Sequence, residues 1–147
     1  SVYRGISTEA EARAPVDPLP WSERPGSDQT RWTATVPVAA RAAHVYSECA
    51  RIWNPIHTDI AVARLAGLTA PILHGSATLA LAVSQLVQQD LDGDPTRVTE
   101  IAVRFTGMVS MPSSFVVRGR GRAGGVIAFD AVDTQGDSVL ADGVLRA

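Results

Sequence analysis

Alternating apolar and polar positions mark several stretches of this chain as strands that each bury one face. The first, Arg31–Val38, reads RWTATVPV, and its Pro37 favours an edge strand or a strand end. Four more follow Pro95 and are separated by Gly, Pro, Asp and Ser; they read VTEIAVRFTG, SFVVRGRGR, VIAFDAVDT and SVLADGVLR. The glycine-rich GRGRAGG joins two of them, which predicts a hairpin turn rather than a phosphate-binding loop.

Helix-forming residues occupy the segment after the first strand. Ala39–Arg51 favours a helix by composition, and the chain should turn at Asn54-Pro55 because proline cannot continue a helix. A short helix is predicted over DIAVARLAG, with Asp59 as its N-cap and Gly67 as its C-cap.

The longest predicted helix covers Ser76–Gly93, with Ser76 as its N-cap. Its side chains are small and apolar through Val83, a pattern typical of a helix that is buried on all sides. We therefore predict an α+β domain in which an antiparallel sheet wraps around this long central helix.

The N-terminal segment differs from the rest of the chain. Residues 1–30 contain several prolines and little periodicity, which predicts an irregular arm, with Leu19 and Trp21 docked on the domain. Residues 31–147 are expected to form one domain, because a chain of 147 residues needs only a single core.

Composition and charge exclude several classes of function. The formal net charge is -2, and the 13 basic residues, all arginine, are scattered, so we expect no nucleic-acid partner. No apolar run reaches the roughly 18 residues that a membrane span requires, and the first residues lack a signal-peptide pattern. The single cysteine, Cys49, allows no internal disulfide and is expected in the core; a cytoplasmic location follows as our prediction.

Two motifs in the middle of the chain resemble the pattern of a known family. The segment NPIHTD, followed after a short helix by APILHGSATLA, is similar to the MaoC-like branch of the hot-dog fold, the (R)-specific enoyl-CoA hydratases and dehydratases. The residues that match the family pattern are Tyr46, Asn54, Pro55, Ile56, His57, His74 and Gly75. The resemblance covers roughly Arg31 to the C-terminus. It implies a hot-dog domain that pairs with another, either as a homodimer or as a heteromer with a different hot-dog subunit.

One position departs from the family pattern. Where the family has Ser-Gly-Asp, this chain reads Ala50-Arg51-Ile52, so Ile52 replaces the acidic member of the family's Asp/His pair. Loss of a positioned acid or base typically lowers the rate about 10²–10⁴-fold. Glu48 and Asp59 are nearby carboxylates, but we expect a solvated charge for the first and a helix cap for the second.

The resemblance also suggests roles for individual residues. His57 is the expected acid/base and Asn54 a positioning residue, while the helix amides at Gly75 and Ser76 polarise a thioester oxygen. Arg51 either binds a substrate anion or bridges to a neighbouring carboxylate. Ile52 is expected to contact substrate and alter its selection, whereas His74 is expected to be structural, holding the turn at Gly75.

These observations leave three functions open. The first is a lyase that hydrates an enoyl thioester or dehydrates a 3-hydroxyacyl thioester, carried by CoA or by an acyl-carrier protein, with no further cofactor. The second is a catalytically silent hot-dog subunit that binds an acyl group or supports an active partner. The third is a thioesterase that uses Glu48. No histidine or cysteine spacing suggests a metal site, and the acyl chain length stays open.

Overall fold

The computed structural model describes residues 25–26 and 29–147. Leu19 and Trp21, the predicted anchors of the N-terminal arm, lie outside the described residues. The elements in chain order are β1 (Trp32–Val38), α1 (Ala42–Ala50), a 3₁₀ turn (Pro55–His57), α2 (Ile60–Leu65), α3 (Gly75–Asp90), a second 3₁₀ turn (Pro95–Arg97), β2 (Glu100–Phe105), β3 (Ser113–Ala123), β4 (Val126–Asp133) and β5 (Ser138–Arg146).

The strands form one antiparallel sheet in the order β1-β3-β4-β5-β2. Pro37 lies in β1, opposite Ser114 of β3, and β1 is an edge strand, as predicted. The β3–β4 hairpin turns at Gly124 and Gly125, whose φ angles of 55° and 78° suit glycine. The predicted hairpin is confirmed.

Helix α3 packs on the inner face of this sheet and forms the core with it. Apolar side chains from the helix meet apolar side chains from the strands, among them Ala82, Leu86, Phe115, Phe129, Leu140 and Leu145, all fully buried. The predicted α+β arrangement, an antiparallel sheet against one long helix, is confirmed.

Two details of the α3 prediction are wrong. The helix is open on one side, because this chain's sheet covers only the opposite face. Its exposed positions include a row at four-residue spacing, Ser76, Ala80, Ser84 and Gln88, together with Gly75 and Gln89. The helix also begins earlier than predicted, at Gly75, with His74 in the N-cap position. The Ser76 hydroxyl caps nothing and instead accepts a hydrogen bond from the Tyr46 hydroxyl at 2.9 Å.

The two shorter helices end where local geometry changes. Helix α1, Ala42–Ala50, is shorter than the predicted Ala39–Arg51 and ends just before Arg51, whose φ of 55° is left-handed. Cys49, on this helix, is exposed, so its predicted core position is wrong. The Asp59 carboxylate accepts hydrogen bonds from the Ala61 and Val62 amides, which confirms it as the N-cap of α2. The predicted C-cap, Gly67, is one residue too late: Ala66 is the C-cap of α2, and Gly67, with a φ of 81°, follows it.

A buried carboxylate ties the C-terminal end of α3 to the edge of the sheet. The Arg31 guanidinium donates to both Asp90 oxygens at 2.8 and 2.9 Å, and Trp32 Nε1 donates to Oδ2 at 3.0 Å. The segment that connects α1 to α2 lies at the opposite, N-terminal end of α3.

No helix in the described part of the chain is long and apolar enough to cross a membrane.

Candidate active site

The turn between α1 and α2 overhangs the N-terminus of α3. Asn54 begins this 3₁₀ turn, and its Oδ1 accepts a hydrogen bond from the Ile56 amide at 3.2 Å. Pro55 occupies the first position of the turn, where its missing N–H is not needed. The turn therefore ends at His57, which lies between the two flanking helices in the chain.

His57 is anchored through one ring nitrogen. Its Nδ1 lies 2.8 Å from the carbonyl oxygen of Ile72. Because a carbonyl oxygen only accepts, Nδ1 carries the hydrogen and Nε2 of the neutral ring keeps its lone pair. The ring is half-buried, so Nε2 is the atom of His57 that is suited to act as a base.

A second histidine packs directly against the first. The rings of His57 and His74 stack with centroids 3.7 Å apart and planes inclined by 25°. His74 is 3% exposed, and its Nε2 forms a hydrogen bond of 3.3 Å with Ser47 Oγ. The Tyr46 ring lies on it as well, with centroids 5.0 Å apart.

The surroundings of His74 favour its neutral form. Burial lowers the pKa of His74 below its usual value of 6.5, and the neighbouring His57 lowers it further. The Ile52 backbone partly offsets both effects. Among the described residues, the Nδ1 atom of His74 has no hydrogen-bond partner.

The two histidines line an open pocket at the head of α3. This outer pocket has a volume of about 710 Å³ and is lined by Ile52, Asn54, His57, His74, Gly75, Ser76, Leu79 and Phe105. None of these described lining residues carries a carboxylate. The predicted residues His57, Asn54, Ile52, Gly75 and Ser76 are thus brought together, whereas Arg51 is exposed and does not line the pocket.

A smaller, apolar pocket adjoins the first. This inner pocket has a volume of about 210 Å³ and is lined by His57, Ile72, Leu73, Gly75, Thr78, Phe105, Gly107, Met108, Val109 and Val139. Thr78, the one hydroxyl among them, donates to the His74 carbonyl oxygen at 3.2 Å, so its polar atom is satisfied within the protein. The outer and inner pockets share His57, Gly75 and Phe105, which form the boundary between them.

The first turn of α3 presents backbone donors at this boundary. Intrahelical hydrogen bonding begins with the Thr78 amide, which donates to the His74 carbonyl oxygen at 2.9 Å. The amides of Gly75 and Ser76 therefore have no partner within the helix, and the positive end of the helix dipole adds to their attraction for an anion. This arrangement can polarise an oxygen atom that enters the outer pocket.

Glu48 and Asp59 do not face the outer pocket. Glu48 accepts a hydrogen bond from Trp53 Nε1 at 3.3 Å, and Asp59 caps α2. Both line a separate open depression, together with His44, Ser47, Trp53, Pro55 and Thr58. Neither carboxylate lines the same pocket as Nε2 of His57.

Sequence reasoning missed several residues of this site. Phe105, Met108 and Val139 come from β2, the loop after it and β5, far along the chain from the motifs. No local pattern marks them, because in sequence each is an ordinary apolar residue. The contact of His74 with His57 was missed too, although the His-Gly pair at the head of α3 was a signal for it.

The described residues contain no group of three or more histidine, cysteine, aspartate or glutamate side chains placed to hold a metal ion.

Comparison with known proteins identifies relatives of this chain. The chain is 45% identical over 53 residues to "Enoyl-CoA hydratase 2, peroxisomal" of Arabidopsis thaliana. This match covers 36% of this chain and 17% of that protein. It is 29% identical over 109 residues to "Enoyl-CoA hydratase ChsH3" of Mycobacterium tuberculosis. This second match covers 74% of this chain and 38% of that protein.

A solved structure and a family profile extend the match. Full-length peroxisomal multifunctional enzyme type 2 from Drosophila melanogaster superposes with a TM-score of 0.79 and 30% identity, over 90% of this chain and 24% of that one. This chain thus spans well under half the length of each of these relatives. The profile of the MaoC like domain matches residues 25–135. Since this match includes most of the chain, and the fold is the hot-dog fold, the protein belongs to the MaoC-like domain family.

Proposed function

We propose that this protein is a lyase that adds water to a trans-2-enoyl thioester, or removes it from the 3-hydroxyacyl thioester. The observation that carries the proposal is the boundary between the two pockets. There, His57, whose Nε2 is outside the hydrogen bond to Ile72, and the first residues of α3, whose amides have no partner within the helix, line the same pocket among the described residues. Two relatives named enoyl-CoA hydratase support the same reaction type.

The proposed substrate lies across both pockets. The thioester oxygen accepts hydrogen bonds from the amides of Gly75 and Ser76, which stabilise the negative charge that develops on it. The acyl tail enters the inner pocket past Phe105, because beyond the shared boundary the described side chains are apolar except for Thr78, whose hydroxyl is hydrogen-bonded within the protein. The carrier, CoA or an acyl-carrier protein, extends outward through the outer pocket.

His57 moves the proton in this mechanism. Its Nε2 accepts a proton from water as the water oxygen bonds to C3, and the electron pair of the C2=C3 bond shifts towards the thioester. The imidazolium then returns that proton to C2, so that the elements of water are added and His57 ends neutral. Asn54 borders the same space and positions the water or the thioester. The reaction is redox-neutral, and we expect it to need no cofactor beyond the thioester carrier.

A second function has its own supporting observation. Ile52 is 45% exposed at the outer pocket, where the family resemblance leads us to expect a carboxylate, and no described lining residue supplies one. The alternative is therefore a silent hot-dog subunit that binds an acyl thioester without turnover and leaves catalysis to a partner. A thioesterase that uses Glu48 has less support, because Glu48 lines a different depression.

The proposed assembly is a pair of hot-dog domains, either a homodimer or a heteromer. The exposed face of α3 supports it. Mass measurement by light scattering checks the homodimer. The cytoplasmic location stays a prediction, since the Arabidopsis relative is peroxisomal.

The deciding experiment follows the absorbance of the conjugated thioester with crotonyl-CoA and a medium-chain trans-2-enoyl-CoA. We expect turnover by the wild-type protein and its loss in His57→Ala, with His44→Ala, a histidine outside both pockets, as the matched control. Activity that survives in His57→Ala contradicts the role of His57. A folded wild-type protein that binds saturated acyl-CoA in calorimetry, but turns over neither enoyl-CoA, supports the silent subunit instead.

A further inference from the structure

The rings of His57 and His74 stack at the outer pocket, so the charge of one ring affects the charge of the other. His57 comes from the 3₁₀ turn and His74 immediately precedes α3, so two separate elements bring the rings to a centroid distance of 3.7 Å. Two positive charges at this separation repel each other. A proton on His57 is therefore compatible only with a neutral His74.

His74 is held from behind by α1. The Tyr46 ring packs on it and Ser47 Oγ bonds its Nε2, while Tyr46 itself donates to Ser76 Oγ on α3. With 3% of its surface exposed, His74 offers no polar atom to a bound substrate. Its influence on the pocket must act through His57.

The groups that face His74 are few. Among the described residues, His57 is the neighbour whose charge acts on it, and Tyr46 is the other titratable ring against it. Neither supplies the negative charge that would stabilise an imidazolium. The flat face of neutral His74 can still attract a proton-bearing ring beside it.

We propose that His74 is a positioning residue: a buried, neutral ring that stacks on His57 and holds Nε2 of His57 towards the outer pocket while His57 carries a proton. The proposal rests on the function proposed above. The hydrogen bond to the Ile72 carbonyl selects the Nδ1–H form of His57, and the stack holds the ring in the plane in which that bond forms.

The first test uses no turnover. Nitrogen-15 NMR of the imidazole rings is recorded for wild type, His74→Phe, which keeps a flat ring, and His74→Ala, which removes it. We expect the Nδ1–H form of His57 in wild type and His74→Phe, and a mixture of both tautomers in His74→Ala. A single unchanged tautomer in His74→Ala overturns the proposal.

A further variant keeps the test decisive if His74→Ala does not fold. In His57→Gln the like charge is removed, so the pKa of His74, measured by NMR, should rise towards its ordinary value. An unchanged pKa of His74 in His57→Gln overturns the pairing.

The second test measures the two kinetic constants separately. In His74→Ala we expect kcat to fall about 10–100-fold because the base is misplaced, while KM changes less than about threefold. His74→Phe should keep most of kcat, and an equal loss in both variants overturns the positioning role. If wild type turns over neither enoyl-CoA, the proposed function fails, whereas the NMR measurements still decide whether the stack orients His57.

Discussion

The ring of Phe105 rests against Gly75, the first residue of α3, so closely that an added Cβ would lie 3.3 Å from two ring carbons. Phe105 and Gly75 both border the outer and inner pockets. The absence of a side chain at Gly75 therefore sets the position of the ring that separates the pockets.

Gly75→Ala tests this relationship. The ring of Phe105 has to shift by a few tenths of an ångström, while alanine suits a helix better than glycine, so we expect stability to change by less than about 1 kcal/mol. The shift at the pocket boundary should lower kcat/KM about 10-fold. Urea unfolding and the enoyl-CoA assay measure the two effects, and a loss of stability without loss of activity would contradict this account.

The ion pair at the other end of α3 yields a prediction on stability. The Asp90 side chain is 2% exposed and receives both Arg31 hydrogen bonds and that of Trp32. Asp90→Asn keeps the size of the side chain but removes the charge and one acceptor, and should lower the free energy of unfolding by about 1.5–3 kcal/mol.

Asp92→Asn is the matched control for Asp90→Asn. Asp92 pairs with Arg97 at 3.7 Å while its side chain is 98% exposed, and an exposed pair of this kind contributes little. We expect no measurable change in its urea midpoint. Equal midpoints for the Asp90 and Asp92 variants would show that the buried pair does not hold α3 to β1.

The parts of the structure that follow from local chemistry were predictable from the sequence. Asp59 caps a helix because its carboxylate reaches amides two and three residues ahead, and His57 leaves the helical path because Pro55 forces a turn. The open face of α3 and the walls formed by Phe105 and Val139 were not predictable, since both depend on which strand lies where in the sheet. A pattern of apolar residues shows that a side is buried but not what it faces.

Stability should fall in mild acid because of His74. Its pKa is lowered in the folded protein by burial and by His57, so the unfolded chain binds a proton that the folded protein resists. The contribution to stability is complete above the ordinary histidine pKa near 6.5 and is lost as the pH falls from there through the lower folded value. Urea unfolding between pH 7.5 and 5 should show a smaller decrease for His74→Phe than for wild type. An identical decrease in both would assign the acid sensitivity to other groups.

Met108 is predicted to set the length of the acyl tail. It lines the inner pocket while 60% exposed, so a larger side chain can enter the pocket mouth without overpacking the core. In Met108→Trp we expect kcat/KM for a medium-chain enoyl-CoA to fall about 10-fold or more relative to crotonyl-CoA. Leu65→Trp, at an 89% exposed position outside both pockets, is the control and should leave this ratio unchanged. An unchanged ratio in Met108→Trp would place the tail elsewhere.

Ile52 gives the most direct test of the missing carboxylate. Introduction of a charge there would cost several kcal/mol if the site were fully buried, but the Ile52 side chain is 45% exposed beside Asn54 and His57. Ile52→Asp should therefore fold with a melting temperature close to that of wild type. A carboxylate beside His57 adds a second group that can hold water, so crotonyl-CoA hydration should rise by up to about 10²-fold. Ile52→Asn, which is polar but uncharged, should not show this gain; if both variants gain equally, removal of the apolar side chain is the cause, and if neither gains, the pocket lacks more than a carboxylate.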